Sequence, residues 1–288
     1  MSYQNPIPQN IVVAAHPRLP DSLAVCPVIA EFLSNLGANV SYGILYDEQL
    51  KRRVLDHEFD LMIALGGDGT MMRAGHLCAP LGLPVLGINL GHFGFLMEIQ
   101  REDWRHYLPR LFEGNYRLEK RMMLRAEHWN GDQKNDSWDV INEVYVGRGG
   151  LVRPVKITAC VDGYLLTSYI ADGLIAATAT GSTAYALAVG GPIMPPELRN
   201  ILVIPVAPHL SVDRAIILPE GVAVTITVNT THQAVLSVDG QSPVEMEDGD
   251  SVRVSAGDHS VSFVRFQDPG YFYRNLTSHM EKNPASEQ

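Results

Sequence analysis

The sequence predicts two domains, an α/β domain with a mostly parallel sheet followed by an all-β domain that resembles a sandwich. Strand-like and helix-like segments alternate in the first part of the chain, whereas strands with a two-residue period dominate after Gly114. We therefore assign residues 1–115 to the α/β domain and residues 116–270 to the β domain. The C-terminal segment, residues 271–288, is expected to return to the first domain, with a helix at Tyr271–Asn283.

The α/β domain is predicted from short apolar strands that alternate with helices. The predicted strands are Asn10–Ala15, Asn39–Tyr46, Asp60–Leu65 and Pro84–Ile88. The predicted helices are Asp21–Leu36, Asp47–Leu55 and Glu102–Phe112. Asp21 is the expected cap of the first helix, Gly37 its stop signal, and Pro109 a limit or kink in the last. This alternation is typical of a Rossmann-like sheet, in which ligands gather at the carboxyl ends of the strands.

The β domain is predicted from alternating apolar and polar residues. The predicted strands are Leu118–Trp129, Val140–Val146, Val155–Val161, Leu165–Ala171, Ile201–Val206, Val222–Val228, Ala234–Val238, Ser251–Ser255 and Ser260–Phe266. Hairpin signals occur at Asn130-Gly131-Asp132, Asp162-Gly163, Asp239-Gly240, Asp248-Gly249-Asp250 and Gly257-Asp258. Together these features favour a sandwich of antiparallel sheets.

Charge and composition argue against several classes of protein. The 288 residues carry a formal net charge of −10, so we expect neither nucleic acid nor an anionic membrane as a partner. Three widely spaced cysteines provide no disulfide framework and no metal-site spacing. We see neither a signal-peptide pattern nor an apolar run long enough to span a bilayer, and we therefore expect a cytoplasmic protein.

The most informative segment is Leu65–Thr70 (LGGDGT), here called the glycine loop, which follows a buried strand directly. Gly66, Gly67 and Gly69 let a ligand approach main-chain amides, and the helix that follows favours phosphate at its start. Asp68 can hold a substrate hydroxyl beside that phosphate, an arrangement that suggests phosphoryl transfer. The alternative is a tight turn in which Asp68 bonds its own backbone.

Two later segments are candidates for ligand binding. Glu143 can accept hydrogen bonds from two neighbouring ribose hydroxyls, and Asn142 can both donate and accept, although the pair can also be an ordinary strand edge. The segment Asp172–Pro192 is dense in small residues, with Tyr185 as its large aromatic residue. Small residues permit close approach of a ligand, but they equally permit close packing of a helix on a sheet.

Two arginines are candidate phosphate ligands, and the sequence contains no metal-binding pattern. Arg73 and Arg153 are candidate phosphate partners, because guanidinium binds phosphate oxygens in pairs; the alternative for each is a solvated surface charge. The sequence has no HxxxH or HExxH pattern and no Cys/His cluster, so we expect no transition-metal site built by the protein.

Taken together, the motifs resemble those of NAD kinases. The glycine loop alone is shared with diacylglycerol and sphingosine kinases and, more loosely, with phosphofructokinases. The further motifs that resemble the NAD kinase pattern, in order, are Gly87–Leu96 (GINLGHFGFL), Asn142-Glu143, Asp172-Gly173, Thr180–Tyr185 (TGSTAY), Gly190-Gly191-Pro192 and Asp239-Gly240-Gln241. Their order and spacing agree with the family from residue 60 to residue 245.

The resemblance implies an activity and a set of site residues. The implied reaction is phosphorylation of the adenosine-ribose 2′-hydroxyl of NAD by ATP, with Asp68 as the catalytic residue. Mg²⁺ or another divalent cation would be carried by ATP rather than by protein ligands, and the protein would be a homodimer or homotetramer. The implied binding residues are Gly66, Gly67, Gly69, Thr70, Arg73, Asn89, Phe93, Asn142, Glu143, Arg153, Asp172, Thr183, Ala184, Tyr185, Ala188 and Gln241.

Three departures from the family pattern and two alternative functions stay open. Ala179 stands where many members have Pro, Pro195 where many have His, and Asp213 precedes Arg214 in a segment that usually reads PHSLSxRP. These differences bear on nucleotide preference. The alternative functions are a lipid kinase that shares the glycine loop and a dinucleotide sensor without catalytic activity.

Overall fold

The computed structural model describes residues 5–91, 94–151, 153–209 and 212–281. The chain divides into two compact units, the first comprising Met1–Lys120 and Val261–Gln288 and the second Arg121–Ser260. No helix in the described ranges is long and apolar enough to cross a membrane.

The first unit is built on a parallel sheet. Its strands are β1 (Asn10–Ala15), β2 (Asn39–Ile44), β3 (Leu61–Gly66), β4 (Val85–Asn89) and the short β5 (Ile99–Gln100). Side by side, the first four follow the order β4-β3-β1-β2, and β5 pairs with β4. Strands β3 and β4 are buried along their whole length, as expected for a parallel sheet covered on both faces. The predicted Rossmann-like α/β architecture is confirmed.

The helices of this unit follow the predicted order but differ in detail. They are α1 (Pro20–Asn35), α2 (Glu48–Leu55), α3 (Asp68–Cys78), α4 (Trp104–Tyr107) and α5 (Pro109–Phe112). The prediction that Asp21 caps α1 is wrong, because the helix begins one residue earlier at Pro20, whose fixed φ suits a first helical position. Asp47 does cap α2, accepting from the amides of Gln49 and Leu50. The predicted helix Glu102–Phe112 is two short helices, the second of which begins at Pro109.

The second unit contains two antiparallel sheets. Its strands are β6 (Arg117–Asn130), β7 (Gln133–Val140), β8 (Glu143–Arg148), β9 (Val155–Val161), β10 (Tyr164–Ala171), β11 (Gly173–Ala177), β12 (Asn200–Val206), β13 (Ile216–Pro219), β14 (Val224–Asn229), β15 (Ala234–Val238), β16 (Val244–Met246) and β17 (Ser251–Arg265), with a short helix α6 (Tyr185–Ala188) after β11. Strands β6 and β17 each begin in one unit and end in the other. One sheet has the order β13-β12-β11-β8-β15-β16, and β10, β9 and β14 pair in the other.

The core of the second unit lies between these sheets. Its buried side chains include Val144 and Val146 from β8, Ile157 from β9, and Ile226 and Val228 from β14. The predicted sandwich-like antiparallel domain is therefore confirmed. The hairpin signals at Gly131, Asp162-Gly163 and Asp239-Gly240 coincide with turns in the left-handed φ region.

Several predicted strand boundaries are wrong. The predicted strand Val140–Val146 is the end of β7 and the start of β8, because the amides of residues 141–143 donate to the carboxylate of Asp239. The hairpin predicted at Gly257-Asp258 lies inside the continuous strand β17, where Gly257 packs closely on the backbone of Leu124. Two strands were not predicted: β7, whose side chains are mostly polar and half of them exposed, and β11, which lies in the small-residue segment for which ligand approach and helix packing both stayed open.

The C-terminal helix α7 (Tyr271–Glu281) belongs to the first unit. Tyr271 at its start lies near the Glu98 and Tyr107 side chains, and burial, followed by the charge of Glu98, raises its pKa. The start of the segment after β17 therefore packs against the first unit.

A buried ion cluster connects β17 to the rest of the first unit. The guanidinium of Arg265 donates to Glu119 (3.1 Å), to Glu98 (3.3 Å) and to the carbonyl of Leu96 (2.8 Å). Arg265 is 5% exposed, and the second oxygen of Glu98 accepts from the amide of Phe266 (2.7 Å). Burial raises the pKa of the Glu98 carboxyl, which shows what its desolvation costs.

Replacing Arg265 with Met is expected to lower the free energy of unfolding by about 3–5 kcal/mol, because two buried carboxyl groups would lose their counter-charge. Urea denaturation measures the change. The matched control is Arg101→Met, since the exposed Arg101–Asp21 pair should contribute less than about 1 kcal/mol. Equal losses in both variants would contradict this account of the cluster.

Candidate active site

The glycine loop connects the end of β3 to the start of α3. Gly66 is the last residue of β3, Gly67 is extended, and Asp68 is the first residue of the helix. A Cβ at Gly66 would overlap the buried side chain of Thr70, so this position requires glycine. The loop therefore presents main-chain amides of a helix start, with one carboxylate, at the carboxyl end of a central strand.

Two main-chain amides of the loop after β4 hold the carboxylate of Asp68. Its Oδ2 accepts from the amide of Phe95 (2.8 Å) and its Oδ1 from the amide of Leu96 (3.0 Å). The carboxylate of Asp68 therefore bonds a different loop, and the alternative of a turn in which it bonds its own backbone is wrong. Each carboxylate oxygen can accept more than one hydrogen bond, so both retain the capacity to bind a further donor.

Gly94 and Asn89 shape the loop that holds Asp68. A Cβ at Gly94 would overlap the Asp68 carboxylate, so only glycine fits beside it. Asn89 is 3% exposed; its Oδ1 accepts from the amide of Gly91 (3.1 Å) and its Nδ2 donates to Gln100 (3.1 Å). The contacts of Asn89 are thus structural, and its contact with a ligand stays a prediction. Phe93 lies outside the described residues.

Arg73 lies on α3 in the same unit as Asp68. Its guanidinium is placed over the ring of Tyr46, with 5.4 Å from its carbon to the ring centroid. The side chain is exposed and has no ion pair with a carboxylate in the described ranges. Its role as a phosphate partner stays a prediction.

In the second unit, Asp239 organises the segment that contains Asn142 and Glu143. Its carboxylate accepts from the amides of Ile141 (2.8 Å), Asn142 (2.7 Å) and Glu143 (3.0 Å). In the sequence, Asp239 is part of a motif in which the family resemblance implies a role for Gln241 alone. The available signal was a carboxylate at a left-handed turn within that motif.

Glu143 carries an unpaired buried acceptor. Its Oε2 is buried and has no hydrogen-bond partner within the part of the chain that the structure describes. Burial, followed by the negative charge of Asp239, raises the pKa of the Glu143 carboxyl to about 7, while the main-chain amide of Tyr185 acts in the opposite direction. A buried carboxylate oxygen without a partner is costly, and a ligand hydroxyl group would satisfy it.

The segment rich in small residues packs against Asn142. A Cβ at Gly181 would overlap the carbonyl of Asn142, and the hydroxyl of Thr178 donates to the carbonyl of Ile141 (2.6 Å). Three buried alanines of this segment, Ala177, Ala179 and Ala186, belong to an apolar cluster that also contains Leu202, Ile204 and Val206 of β12. The packing interpretation therefore applies to them. The predicted ligand-binding residues Thr183, Ala184, Tyr185 and Ala188 are instead accessible in part or in full.

Asp172 and Tyr185 meet at the side chain of Tyr145. The hydroxyl of Tyr145 donates to the carbonyl of Asp172 (2.8 Å), and the rings of Tyr145 and Tyr185 lie 5.9 Å apart. The Asp172 carboxylate pairs with Arg148 at 3.1 Å. Burial raises the pKa of Tyr145 to about 12, so it remains a donor at neutral pH. The structure thus connects Glu143 to Tyr185 and, through Tyr145, Tyr185 to Asp172, whereas Glu143 and Asp172 lie at opposite ends of the paired strands β8 and β11.

Within the described ranges, no hydrogen bond joins Arg153 or Gln241 to Glu143, Asp172 or Tyr185. Arg153 is exposed and bonds only through its backbone in the described ranges, donating to the carbonyl of Leu151 and accepting from His232. Gln241 is exposed after the Asp239-Gly240 turn and accepts at its carbonyl from Ser237. Their roles as ligand contacts stay predictions. Among the described residues, no group of three or more His, Cys, Asp or Glu side chains is arranged to hold a metal ion.

Comparison with known proteins gives consistent results. Residues 20–116 match the family model described as the ATP-NAD kinase N-terminal domain, and residues 141–266 match the ATP-NAD kinase C-terminal domain. An NAD kinase of Chloroflexus aurantiacus is 35% identical over 275 residues, 96% of this chain and 99% of that protein. An NAD kinase of Heliobacterium modesticaldum is 40% identical over 216 residues, 75% of this chain and 76% of the relative.

Solved structures show the same fold at lower sequence identity. Yeast NADH kinase complexed with NADH superposes with a TM-score of 0.82 and 24% identity, covering 98% of this chain and 89% of the yeast chain. An NAD kinase from Archaeoglobus fulgidus in complex with ATP gives a TM-score of 0.73 and 24% identity, with 96% and 99% coverage.

The matches and the glycine loop together define a phosphotransferase. The chain belongs to the NAD kinase family.

Proposed function

We propose that the protein transfers the terminal phosphoryl group of ATP to the 2′-hydroxyl of the adenosine ribose of NAD, giving ADP and NADP. The observation that carries this proposal is the position of Asp68, a lone carboxylate at the start of α3, fixed by the amides of Phe95 and Leu96. Membership of the NAD kinase family supports the choice of both substrates.

Asp68 is proposed to orient the acceptor hydroxyl. Its carboxylate accepts a hydrogen bond from the 2′-hydroxyl and takes the proton as the new O–P bond forms. A ribose hydroxyl is a weak acid, so full deprotonation before transfer is not required, and most of the rate comes from alignment and charge neutralisation. The main-chain amides of residues 66–70 are proposed to hold the donor phosphates, as is typical of helix starts.

The second unit is proposed to hold the dinucleotide. The unpaired carboxylate oxygen of Glu143 suits a ribose hydroxyl, and the Asn142 amide can donate and accept. Asp172 and Tyr185 meet at the side chain of Tyr145, and the family resemblance assigns Thr183, Ala184 and Ala188 to the same site.

Mg²⁺ is proposed to enter with ATP. In proteins Mg²⁺ is commonly bound largely through substrate phosphates, so we propose that the ATP phosphates, rather than protein ligands, carry it. When bound, the cation neutralises the charge of the phosphate chain. Removal of divalent cations with a chelator should abolish turnover, and addition of Mg²⁺ should restore it.

The test is parallel incubation of the purified protein with Mg-ATP and NAD, NADH or diacylglycerol. We expect phosphate on the dinucleotide and none on diacylglycerol. Phosphate on the lipid would favour the lipid-kinase alternative, whereas NAD binding by calorimetry without any conversion would favour a sensor.

The affinity for NAD is expected to depend on pH through Glu143, whose pKa is about 7. Only the ionised carboxylate accepts from two hydroxyl groups. The ionised fraction falls from about nine-tenths at pH 8 to one-tenth at pH 6, so the dissociation constant should rise about tenfold over this range. Isothermal titration with NAD at pH 6 and pH 8 measures the dissociation constant. The control, Glu143→Gln, should bind more weakly and lose this dependence; an unchanged wild-type constant would contradict the assignment.

The raised pKa of Glu143 also makes the stability of the ligand-free protein depend on pH. The folded carboxyl of Glu143 retains its proton up to a pKa of about 7, above its ordinary value of 4.5, whereas the unfolded chain has already released it. The contribution of Glu143 to the free energy of unfolding therefore falls as the pH rises from about 4.5 to about 7.

We further propose a cytoplasmic homodimer or homotetramer. Tyr164 and Leu165 are 80% and 67% exposed on the edge strand β10, and exposed apolar edge strands favour association. Light scattering after size exclusion should give a mass of two or four chains; a monomer at micromolar concentration would contradict it. Cell fractionation tests the compartment.

A further inference from the structure

A buried arginine of the second unit contacts the segment that contains several of the predicted dinucleotide-binding residues. Arg121 lies on β6 and is 6% exposed. Its Nη1 donates to the hydroxyl of Thr180 (3.2 Å), a side chain that is 4% exposed and lies 59 residues further along the chain. Arginine is rarely buried in proteins, because desolvation of its charge is costly. The guanidinium is therefore a fixed donor directed at this segment.

The Thr180 hydroxyl bonds Arg121 and not its own turn. Thr180 directly precedes the 3₁₀ turn Gly181–Thr183. At such a position a threonine hydroxyl ordinarily accepts from an amide of the turn that follows. Within the described part of the chain, the Thr180 side chain makes no capping bond of this kind. The start of the turn is thus held from a neighbouring strand, because the hydroxyl accepts from Arg121.

The turn connects the position of Thr180 to that of Tyr185. The carbonyl of Thr180 accepts from the hydroxyl of Thr183 (3.0 Å). Two residues further on, the amide of Tyr185 bonds the carboxyl group of Glu143. A short series of hydrogen bonds and peptide links therefore leads from Arg121 to Glu143, the carboxylate proposed to hold a ribose hydroxyl.

This loop lacks one local constraint on its backbone. Ala179 stands where many members of the family have proline, whose ring would fix φ. Contacts within the second unit hold the loop in its place: the hydroxyl of Ser182 donates to the carbonyl of Ala179 (2.7 Å) and accepts from the amide of Met194 (2.9 Å). The contact of Arg121 with Thr180 adds a constraint at the residue directly after Ala179.

We propose that Arg121 is a positioning residue for the dinucleotide, because it fixes Thr180 and, through it, the segment Thr183–Tyr185 in the arrangement that binds NAD. This inference rests on the proposed function and names a residue that sets the geometry of that site. Arg121 acts through the loop and is not proposed to contact the ligand. A planar guanidinium suits this role, since it fixes the directions of its donors.

The test measures the affinity for NAD at pH 8 by isothermal titration of the wild type, Arg121→Met, Thr180→Val and the double variant. Each single substitution removes one partner of the same hydrogen bond, so each should weaken NAD binding about tenfold. The double variant should bind no more weakly than the weaker single variant, because both substitutions act on one interaction. Thr180→Ser keeps the hydroxyl and should recover most of the affinity. If Arg121→Met fails to fold, Thr180→Val and Thr180→Ser still provide the comparison.

Steady-state kinetics should show a selective effect on the dinucleotide. KM for NAD is expected to rise about tenfold in Arg121→Met and Thr180→Val, while KM for ATP stays near the wild-type value, because the donor phosphates are assigned to the glycine loop. Arg125→Met is the matched control. Arg125 lies on the same strand and donates to Asp139 (3.1 Å) and Ser137 (2.6 Å), so its replacement should change neither KM.

The pH dependence of NAD binding distinguishes positioning from a general loss of stability. Glu143 is faced by the Asp239 carboxylate, whose charge raises its pKa, and by the Tyr185 amide, which lowers its pKa. Displacement of the loop removes that amide, so the midpoint of the affinity against pH should move upward. Thr180→Val retains the charge of Arg121, and a shift in this variant therefore reports the loop. A midpoint equal to that of the wild type would overturn the inference.

Hydrogen exchange of residues 178–185 in the ligand-free protein separates this inference from the proposed function, because it requires neither NAD nor turnover. Exchange there should be faster in Arg121→Met and Thr180→Val than in Arg125→Met. That result in a protein that fails to phosphorylate NAD would retain the positioning contact and reject the proposed function. Additive losses of NAD affinity in the double variant, or unchanged exchange in Thr180→Val, would overturn the inference.

Discussion

Replacing Asp68 with Asn is expected to lower turnover by about 10²–10⁴-fold, the range typical of a lost acid–base group. Asn keeps the size of the side chain but cannot take a proton from the ribose hydroxyl. Because Asn142, Glu143, Asp172 and Tyr185 are proposed to hold the dinucleotide, the affinity for NAD should be retained. Steady-state kinetics measures the first quantity, and isothermal titration with NAD the second.

The control for this variant is its stability, because Asp68 also accepts from the amides of Phe95 and Leu96. Asn offers one acceptor oxygen in place of two, so a moderate decrease in melting temperature is expected. A variant that turns over at the wild-type rate would show that Asp68 is not the base.

Replacing Gly94 with Ala is expected to lower turnover by about 10²-fold, although the substitution changes none of the predicted ligand-binding residues. The added Cβ would overlap the Asp68 carboxylate, so the carboxylate must move away from the position that the amides of Phe95 and Leu96 define. A displacement of about 1 Å is enough for a loss of this size. The measurement is kcat, together with a crystal structure of the variant.

Gly91→Ala is the matched control for Gly94→Ala. Gly91 lies in the same loop, its φ is not in the left-handed region, and, its chain neighbours aside, an added Cβ would meet no atom of the described residues within 4 Å. It should therefore retain a rate close to the wild type. Equal losses in both variants would indicate a general effect on the loop rather than displacement of Asp68.

The sequence predicts the local features of the site. A buried strand, two glycines, a carboxylate and a helix start follow one another within a few residues, so the position of Asp68 can be inferred from the pattern of Leu61–Thr70 alone. The alternation of elements likewise predicts the parallel sheet and places this loop at its carboxyl edge.

The long-range contacts could not be inferred from the pattern. The amides that hold Asp68 lie 27 and 28 residues further along the chain, and Asp239 accepts from amides up to 98 residues away. Arg265 reaches the carbonyl of Leu96 across 169 residues. Such contacts are made by the packing of the sheets, and neither periodicity nor local propensity contains them.

The incorrect boundaries have local causes. Strand β7 (Gln133–Val140) is mostly polar and is exposed over its first half, so it lacks the apolar alternation on which the prediction relied. Gly257 is adjacent to an aspartate, as in a hairpin turn, but it allows close approach of the Leu124 backbone within a long strand. In both places tertiary packing overrides the local signal.

The central claim is that Asp68 meets the ribose hydroxyl that receives the phosphate. The most direct test is a crystal structure of the Asp68→Asn variant with NAD bound. We expect the carboxamide that replaces the Asp68 carboxylate to lie within hydrogen-bond distance, about 2.6–3.2 Å, of the adenosine-ribose 2′-oxygen. A 2′-oxygen that contacts another carboxylate and lies beyond reach of this side chain would contradict the account.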